Sequence, residues 1–117
     1  MDNSDCIFCK IIKGEIPSKK TYEDDNFIAF LDINPKTEGH TIIATKNHFR
    51  NLLDMPTTLG NELLEAIKNV SLNLIKEKKA EGFNLITNNE PAAGQVVFHF
   101  HCHVIPRKKD DGLKSIV

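Results

Sequence analysis

Three of the five histidines in this 117-residue chain occupy alternate positions of the apolar run FHFHCHVIPR, residues 98–107. Residues two apart on an extended strand point to the same face and lie about 6.6 Å apart along the chain. His99, His101 and His103 would therefore form one row of imidazoles. The opposite face would carry the apolar side chains of Phe98, Phe100, Cys102 and Val104. Such a row has three explanations: a metal site, a nucleophile that handles phosphate, or accidental polar decoration of a strand.

Accidental decoration and a single shared metal site both meet a physical objection. Each buried imidazole that lacks a hydrogen-bond partner costs about 1–3 kcal/mol. Nitrogens that share one zinc ion lie within about 3.5 Å of each other. His99 and His103 are separated by about 13 Å of strand rise. At most one or two of the three histidines could therefore bind the same metal.

A nucleophile accounts for more of the pattern. Neutral imidazole can attack phosphorus and form a covalent nucleotidyl-histidine, which water then cleaves. The attacking ring needs its other nitrogen held by an acceptor, and the phosphoryl oxygens need donors already in place. Gly94 would let backbone N–H groups approach an anion, and Gln95 and Asn88 would add amide donors. Flanked by a histidine on either side, His101 is the predicted nucleophile.

The histidine row must be positioned by elements that do not follow a regular βαβ alternation. A short helix is predicted over residues 6–13, CIFCKIIK, with Asp5 as its N-cap and Gly14 as its stop signal. The five predicted strands cover residues 20–24, 27–33, 40–46, 82–87 and 96–105.

A long helix is predicted between the third and fourth strands, because apolar residues recur there at steps of three or four. Thr57 or Thr58 would cap its start, and Gly82 would end it. The basic run at residues 76–79 suits the negative end of the helix dipole. The predicted apolar stripe consists of Leu59, Leu63, Leu64, Ile67, Val70 and Leu74.

Five strands with one short and one long helix predict an α+β fold built on a mainly antiparallel sheet. No low-complexity segment or Pro/Gly/Ser linker divides the chain, so residues 1–117 are predicted to form a single domain. A chain of this size has few side chains to cover both faces of a sheet. A homodimer that extends the sheet is therefore predicted.

The composition argues against several classes of protein. Hydrophobic residues make up 40% and charged residues 26%, as in ordinary globular domains. The net charge of -1 favours neither nucleic acid nor an anionic membrane as a partner. The chain contains no apolar run near the roughly 20 residues of a membrane span, and MDNSDC lacks the features of a secretory signal. Three cysteines argue against a disulfide framework, and a cytoplasmic location is predicted.

The segment His99-Phe100-His101-Cys102-His103-Val104-Ile105 resembles the signature of the histidine triad family of nucleotide-binding proteins and nucleotidyl hydrolases. Gly94-Gln95 ahead of it and Asp32…Gly39-His40 upstream strengthen the resemblance. Residues 6–25 resemble the amino-terminal segment of the bacterial members, and residues 29–48 resemble the family's nucleotide-facing pair of strands. The resemblance implies a five-stranded antiparallel sheet, a dimer with a continuous sheet, and hydrolysis of a purine nucleotide at its α-phosphorus.

The resemblance also implies a role for each matching residue. His101 would become nucleotidylated, His103 would contact the α-phosphate, and His40 would lie beside them. The carboxylate of Asp32, an acceptor with two oxygens, would take the ribose hydroxyls. The remaining implied contacts are Ile33 against the nucleoside and Asn88, Gly94 and Gln95 at the phosphate and leaving group.

Two departures from the family leave the leaving group open. Many members carry Ser or Thr after Gly-Gln, whereas this chain has Val96, so only the backbone N–H can donate there. The tail also ends at Val117 without a Trp, and in some members the tail shapes leaving-group specificity.

The pair Cys6-x-x-Cys9 could supply two zinc thiolates. Its spacing from other ligands does not match a zinc finger. Some bacterial members resemble this chain in combining such a pair with two histidines, here His48 and His99. That set would be a closed structural zinc site, not needed for catalysis. A redox pair and two apolar thiols packed in a helix are the alternatives, and Cys102 is predicted to lie in the core.

We therefore predict a cytosolic, dimeric hydrolase that cleaves a purine nucleoside phosphoramidate or a related nucleotidyl conjugate through a His101 adduct. A competing hypothesis is hydrolysis of dinucleoside polyphosphates, since the run HVIPRK resembles that branch too. A nucleotide-binding module with vestigial activity is a second competing hypothesis, and a zinc hydrolase is a third.

Overall fold

A computed structural model describes residues 5–113 of the chain. Its five strands form one sheet in the order β1-β2-β3-β5-β4, with every neighbouring pair antiparallel. This confirms the predicted α+β fold with one short and one long helix. The elements are α1 (Ile7–Ile12), β1 (Lys20–Glu23), β2 (Phe27–Leu31), β3 (Thr41–Thr45), α2 (Gly60–Glu77), β4 (Gly82–Ile86) and β5 (His101–Arg107), with 3₁₀ turns at Thr57–Leu59 and Pro91–Ala93.

Alternating side chains on the central strands give the sheet two apolar faces. The face under α2 carries Phe27, Ala29, Ile43, Phe100, Cys102 and Val104. The face under α1 carries Ile28, Phe30, Ile42 and Ala44, packed with Phe8 of that helix. Cys102 is 2% exposed, which confirms its predicted place in the core. Because His101 and His103 alternate with Cys102 and Val104, they face the α1 side.

The helix α1 begins one residue later than predicted and has a different cap. Cys6 is the N-cap, and its Sγ accepts a hydrogen bond from the Cys9 N–H at 3.4 Å. The predicted Asp5 cap is wrong, because the thiol of Cys6 is the group that meets the free N–H of the first turn. Gly14 follows the C-cap Lys13 with φ +81°, which confirms the predicted stop.

The start of α2 also differs from the prediction. The chain first makes the 3₁₀ turn Thr57–Leu59, and the α-helix Gly60–Glu77 continues from it. The N-cap is Leu59, without a side-chain hydrogen bond. The predicted cap by Thr57 or Thr58 is wrong, because both threonines lie inside the 3₁₀ turn.

The end of α2 is set by a left-handed residue other than glycine. Lys78 is the C-cap, and Lys79 follows with φ +56°. Gly82 does not end the helix but begins β4. The predicted stripe is wrong at Leu64, which is 56% exposed, and Ala66 is buried in the core instead. No helix within residues 5–113 combines the length and apolar character needed to cross a membrane.

The last strand begins later than the prediction of residues 96–105. Regular pairing starts at His101 and runs to Arg107, after a bend at residues 97–99. Phe98 therefore does not join the core: it is 38% exposed, and the guanidinium of Arg50 lies 4.5 Å from its ring centroid. His99 is fully buried and precedes the strand, so the three histidines do not form the single regular row expected.

Candidate active site

A cavity of about 610 Å³ opens on the α1 side of the sheet. This volume suits a small organic ligand. His101 and His103 reach it from β5, Asp32 from the end of β2, and His40 from the start of β3. One wall is apolar and consists of Ile7, Phe8, Ile11, Ile16, Pro17, Phe30 and Ile42. An apolar wall facing a polar cluster can take a flat heterocycle on one side and charge on the other.

The structure brings most of the sequence-predicted site residues to this one cavity. Those that line it are Asp32, Ile33, His40, Asn88, Gly94, Gln95, Val96, His101 and His103. Ile33 and Val96 are 88% and 84% exposed, so both lie at its open rim. His99 is not among the lining residues and lies with Cys6, Cys9 and His48 in a separate cluster.

His101 presents a lone pair to the cavity. Its Nδ1 lies 2.7 Å from the carbonyl oxygen of His99, so this nitrogen carries the proton and donates it. The other nitrogen, Nε2, is then unprotonated and can act as a nucleophile. The edge-on ring of Phe8 lies 4.8 Å from the His101 centroid. Burial lowers the pKa of His101, which keeps the imidazole neutral near pH 7.

Hydrogen bonds through His40 give His103 the opposite protonation to His101, with the proton on Nε2. The backbone N–H of Lys36 donates to His40 Nδ1 at 3.1 Å, so the proton of His40 resides on Nε2. That Nε2–H donates to His103 Nδ1 at 2.9 Å. His103 must then carry its own proton on Nε2, as a donor in a ring that lines the cavity. Burial lowers the pKa of His40 and lowers that of His103 to about 4, so both rings are neutral.

Asp32 lies beside His40 and His103, and one of its carboxylate oxygens already accepts a hydrogen bond. Its Oδ1 accepts the N–H of Asn34 at 2.9 Å. Its Oδ2 lies 3.5 Å from His40 Nε2 and 3.9 Å from His103 Nδ1. These three side chains could be mistaken for a metal site. They do not fit one, because the only lone pair of neutral His40 accepts the N–H of Lys36.

The loop after β4 forms the rim opposite the apolar wall. Gly94 ends the 3₁₀ turn Pro91–Ala93 with φ +92°, and a Cβ added there would lie 3.6 Å from Asn88 Nδ2. The Gly94 N–H donates to the Pro91 carbonyl at 2.9 Å. Among the described residues, neither the amide of Asn88 nor the N–H of Val96 has a hydrogen-bond partner. Both groups are therefore free to donate at this rim.

Gln95 is buried, and its side chain forms hydrogen bonds with backbone groups in and next to the loop. Its Nε2 donates to the carbonyls of Arg50 and Val97 at 2.7 and 3.1 Å, and its Oε1 accepts the N–H of Glu90 at 2.7 Å. Its side chain therefore supports the rim from behind. Glu90 and Arg50 were not singled out from the sequence. A glutamate before a proline gives no sign that its backbone will adopt the left-handed region.

The separate cluster gathers two sulfurs and two nitrogens from distant parts of the chain. Cys6 Sγ and Cys9 Sγ lie 3.3 and 3.5 Å from His99 Nδ1, and Cys9 Sγ lies 3.3 Å from His48 Nδ1. All four ligand atoms lie within 4.8 Å of one another. In tetrahedral zinc, bonds of about 2.3 Å to sulfur and 2.0–2.1 Å to nitrogen place neighbouring ligand atoms about 3.5 Å apart. The donor set and its spacing fit zinc.

The protonation of this cluster also suits a cation. His99 Nε2 lies 2.6 Å from the Thr45 carbonyl oxygen and donates to it, which leaves Nδ1 unprotonated toward the thiols. Burial lowers the pKa of His99 to about 4. Burial and the hydrogen bond with Cys6 raise the pKa of the Cys9 thiol to about 11. A bound metal cation would be needed to hold this sulfur as a thiolate at neutral pH.

A family model described as the HIT domain matches residues 13–110. Over 112 residues the chain is 40% identical to the adenosine 5'-monophosphoramidase HNT1 of Candida albicans, a match covering 92% of this chain and 74% of that protein. Over 110 residues it is 44% identical to the adenylylsulfatase HINT3 of Arabidopsis thaliana. That match covers 94% of this chain but only 56% of the plant protein.

The fold also matches a solved structure. A Zn-bound histidine triad family protein from Mycobacterium smegmatis superposes with a TM-score of 0.90 at 36% sequence identity. The match covers 97% of this chain and 82% of the mycobacterial chain.

Proposed function

Because this chain belongs to the HIT domain family, we propose that it hydrolyses a purine nucleoside phosphoramidate through a covalent nucleotidyl-histidine. The carrying observation is the hydrogen bonding of two adjacent rings, which leaves a lone pair on Nε2 of His101 and a proton on Nε2 of His103. A nucleophile and a phosphate donor are the two groups that the reaction requires. Relatives named as a monophosphoramidase and an adenylylsulfatase support an adenylyl group as the common part of the substrate.

Substrate binding uses the two unlike sides of the cavity. The purine packs against the apolar wall provided by α1 and is covered at the rim by Ile33. The ribose hydroxyls donate to the carboxylate of Asp32, which accepts hydrogen bonds without needing a proton. The free amide of Asn88 and the N–H of Val96 lie on the phosphate and leaving-group side.

The chemistry proceeds in two displacements at the α-phosphorus. His101 Nε2 attacks phosphorus, the P–N bond to the leaving amine breaks, and a nucleotidyl-histidine forms. The carbonyl of His99 holds the Nδ1–H and stabilises the positive charge that the ring acquires. The Nε2–H of His103 donates to the phosphoryl oxygens. The leaving nitrogen takes a proton from solvent as the P–N bond breaks. Water then cleaves the adduct, gives its hydroxyl to the nucleoside monophosphate and releases a proton to solvent.

We further propose that Cys6, Cys9, His48 and His99 bind a structural zinc ion. Four protein ligands fill a tetrahedral site and leave no open position for substrate or water. The ion would tie α1 to the bend that carries His99, whose carbonyl orients His101. The Zn-bound relative supports this assignment. The proposed ion takes no part in the reaction.

The proposed homodimer follows from an unprotected sheet edge. β4 is the last strand of the sheet, and its Phe83 and Leu85 are 40% and 47% exposed. Leu85 pairs with Val104, so it points to the α2 side of the sheet. A free edge beside exposed apolar side chains favours pairing with a second copy. Leu72 and Ile75 of α2, 52% and 38% exposed, add apolar surface for it.

The proposed function is tested by trapping the adduct. The protein is mixed rapidly with adenosine 5'-phosphoramidate and analysed by mass spectrometry, while product formation is followed separately. We expect an adenylyl mass on His101 in the wild type, and neither adduct nor turnover in His101→Ala. Lys68→Ala, on the exposed face of α2, serves as the control. Wild-type turnover by His101→Ala would refute the mechanism.

Adenylyl sulfate and a dinucleoside polyphosphate belong in the same assay. The exposed Val96 leaves the leaving-group side of the cavity open, and one relative is named for an adenylyl sulfate reaction. If kcat/KM is higher on either compound than on the phosphoramidate, that compound represents the preferred substrate class. Nucleotide binding with negligible turnover on all three would indicate a binding module. Loss of turnover on mild metal removal, with the fold intact, would indicate a zinc hydrolase.

A further inference from the structure

Glu90 has a backbone conformation that side chains rarely adopt. Its φ and ψ are +75° and +154°, a region in which only glycine is free of strain. It immediately precedes Pro91 and opens the 3₁₀ turn that leads to Gly94. The two ends of this loop, Asn88 and Gly94, both line the cavity. The strain therefore lies within the rim on the phosphate side.

The polar groups of Glu90 are held on several sides. Arg50 donates from Nε and from a terminal nitrogen to the two carboxylate oxygens, each at 2.9 Å. Asn51 Nδ2 donates to Oε2 at 2.6 Å. The Glu90 N–H donates to Gln95 Oε1 at 2.7 Å, and its carbonyl accepts the N–H groups of Ala93 and Gln95 at 3.0 and 3.2 Å. Such a set of contacts can hold a strained residue in place.

The partners of Glu90 are themselves anchored. The guanidinium of Arg50 lies over the ring of Phe98, and its backbone N–H donates to Asp54 at 2.9 Å. The N–H of Leu52 donates to Asn89 Oδ1 at 2.8 Å, next to Glu90 in the chain. The segment 50–54 therefore contacts the rim at both Asn89 and Glu90 and is itself held by a hydrogen bond between Arg50 and Asp54.

We propose that Glu90 is a positioning residue that holds the rim of residues 88–95 through its clamp with Arg50 and Asn51. The clamp keeps the loop in a conformation that it would otherwise leave, and thereby orients the Asn88 amide toward the phosphate and leaving group. Donors set in advance stabilise developing charge without reorganisation. This inference rests on the proposed function, because it assigns Glu90 to the same cavity.

Two substitutions separate the clamp from the strain. Glu90→Ala removes the clamp but keeps a Cβ at a left-handed position, so the loop should relax. Glu90→Gly removes both, so the original backbone conformation stays accessible. We expect kcat/KM on the phosphoramidate to fall on the order of 10- to 100-fold in Glu90→Ala, and by less than about fivefold in Glu90→Gly. Arg50→Met should resemble Glu90→Ala, and the double variant should be no worse than either single one.

Amide hydrogen exchange measures the loop independently of catalysis. The N–H groups of Ala93 and Gln95 should exchange at least about tenfold faster in Glu90→Ala than in the wild type, with Glu90→Gly in between. Lys79→Gly is the matched control, because Lys79 is a left-handed residue far from the rim in the chain. It should change neither the exchange of the rim nor kcat/KM.

Two results would overturn the inference. One is wild-type exchange and wild-type kcat/KM in Glu90→Ala; the other is a loss in Glu90→Gly as large as that in Glu90→Ala. Failure of the proposed function looks different. The wild type itself would then turn over no phosphoramidate, while hydrogen exchange and the affinity for nucleoside monophosphate would still decide whether Glu90 sets the rim.

Discussion

The Nδ1–H of His101 and the Nε2–H of His99 both donate to backbone carbonyl oxygens, at 2.7 and 2.6 Å. His40 differs in accepting a backbone N–H, that of Lys36, at 3.1 Å. One hydrogen bond to the main chain thus decides which nitrogen of each ring has a lone pair. These rings have the same chemical formula, yet one is suited to attack phosphorus, another to bind metal and another to donate a hydrogen bond to a neighbouring imidazole.

Because His40 donates a hydrogen bond to His103 Nδ1, its removal should impair turnover. In His40→Ala, His103 Nδ1 loses its donor, and its proton can move there to face Asp32 Oδ2, 3.9 Å away. The Nε2 of His103 would then no longer donate to the phosphate. We expect kcat to fall on the order of 10- to 100-fold with a smaller change in KM, measured by steady-state kinetics.

The His40 prediction has a structural control. The melting temperature of His40→Ala should be recorded beside that of Lys68→Ala, so that lost packing is not mistaken for lost chemistry. A folded His40→Ala protein with wild-type kcat would contradict this role of His40. The tautomer of His103 can be read directly from the ¹⁵N shifts of its ring.

At the scale of elements, the cysteine-histidine cluster connects three separate parts of the chain. Cys6 and Cys9 lie at the start of α1, His48 lies after β3, and His99 lies in the bend before β5. The helix has only six residues, too few to be stable by itself. A metal ion at this point would fasten α1, which forms one wall of the cavity, to the sheet.

Removing one zinc ligand should therefore cost stability before it costs chemistry. We expect Cys9→Ser to lose bound zinc and to unfold at a melting temperature several degrees lower. The free energy of unfolding should fall on the order of 2–4 kcal/mol. Below the unfolding transition its kcat should stay within about tenfold of the wild type, because His101 and His103 do not bind the metal. Elemental analysis and thermal unfolding of the same sample test both parts.

Cys102→Ala is the matched control for Cys9→Ser. Cys102 is a buried thiol under α2, outside the cluster, so its loss should lower stability through a cavity while zinc content stays unchanged. Zinc bound by Cys9→Ser at the wild-type level would show that the cluster does not hold the ion.

For the molecule as a whole, buried neutral histidines make stability depend on pH. Burial lowers the pKa of His103 from the ordinary value of 6.5 to about 4. Between these values the unfolded chain binds a proton that the folded chain does not. Stability is therefore fully present above about pH 6.5 and decreases as the pH falls toward 4. Burial lowers the pKa of His40 in the same direction.

Denaturant unfolding at pH 7, 6 and 5 should show this loss. The free energy of unfolding should decrease with each step in the wild type and decrease less steeply in His103→Asn, which cannot take up the proton. His103 is not one of the zinc ligands, so the difference between the two proteins isolates its contribution. Equal slopes in both proteins would contradict the burial argument.

The oligomeric state is also a property of the whole molecule. Leu85→Lys places a charge on the exposed apolar edge strand, so the proposed dimer should weaken on the order of 100-fold or more. Leu53→Lys is the control, since Leu53 is 89% exposed in the loop after β3. Sedimentation velocity should show dimers for the wild type and Leu53→Lys and monomers for Leu85→Lys. A monomeric wild type would disprove the dimer.

Much of the fold could be predicted because its signals are local. The spacing of apolar residues predicted the long helix. Polar turns between runs of β-branched and aromatic residues predicted the five strands. The ends of elements were predicted less well. Cys6 instead of Asp5 caps α1, and Lys79 instead of a glycine ends α2, because several neighbouring residues can serve and packing selects among them.

The cavity residues were predicted together, but their division of labour was not predictable from spacing. The alternation at His101 and His103 holds on β5, whereas His99 lies before the strand and joins Cys6, 93 residues away in the chain. The clamp on Glu90 likewise depends on Arg50, 40 residues earlier. No local pattern records such contacts.

The sequence by itself determined the antiparallel sheet, the long helix and the presence of imidazoles on one side of the last strand. Periods of two and of three to four residues determine which face a side chain takes. Only the tertiary structure decided which nitrogen of each histidine holds a proton and how Glu90 is strained. Each depends on contacts that exist only in the folded backbone, whether the partner is as near in the chain as His99 is to His101 or as far as Arg50 is from Glu90.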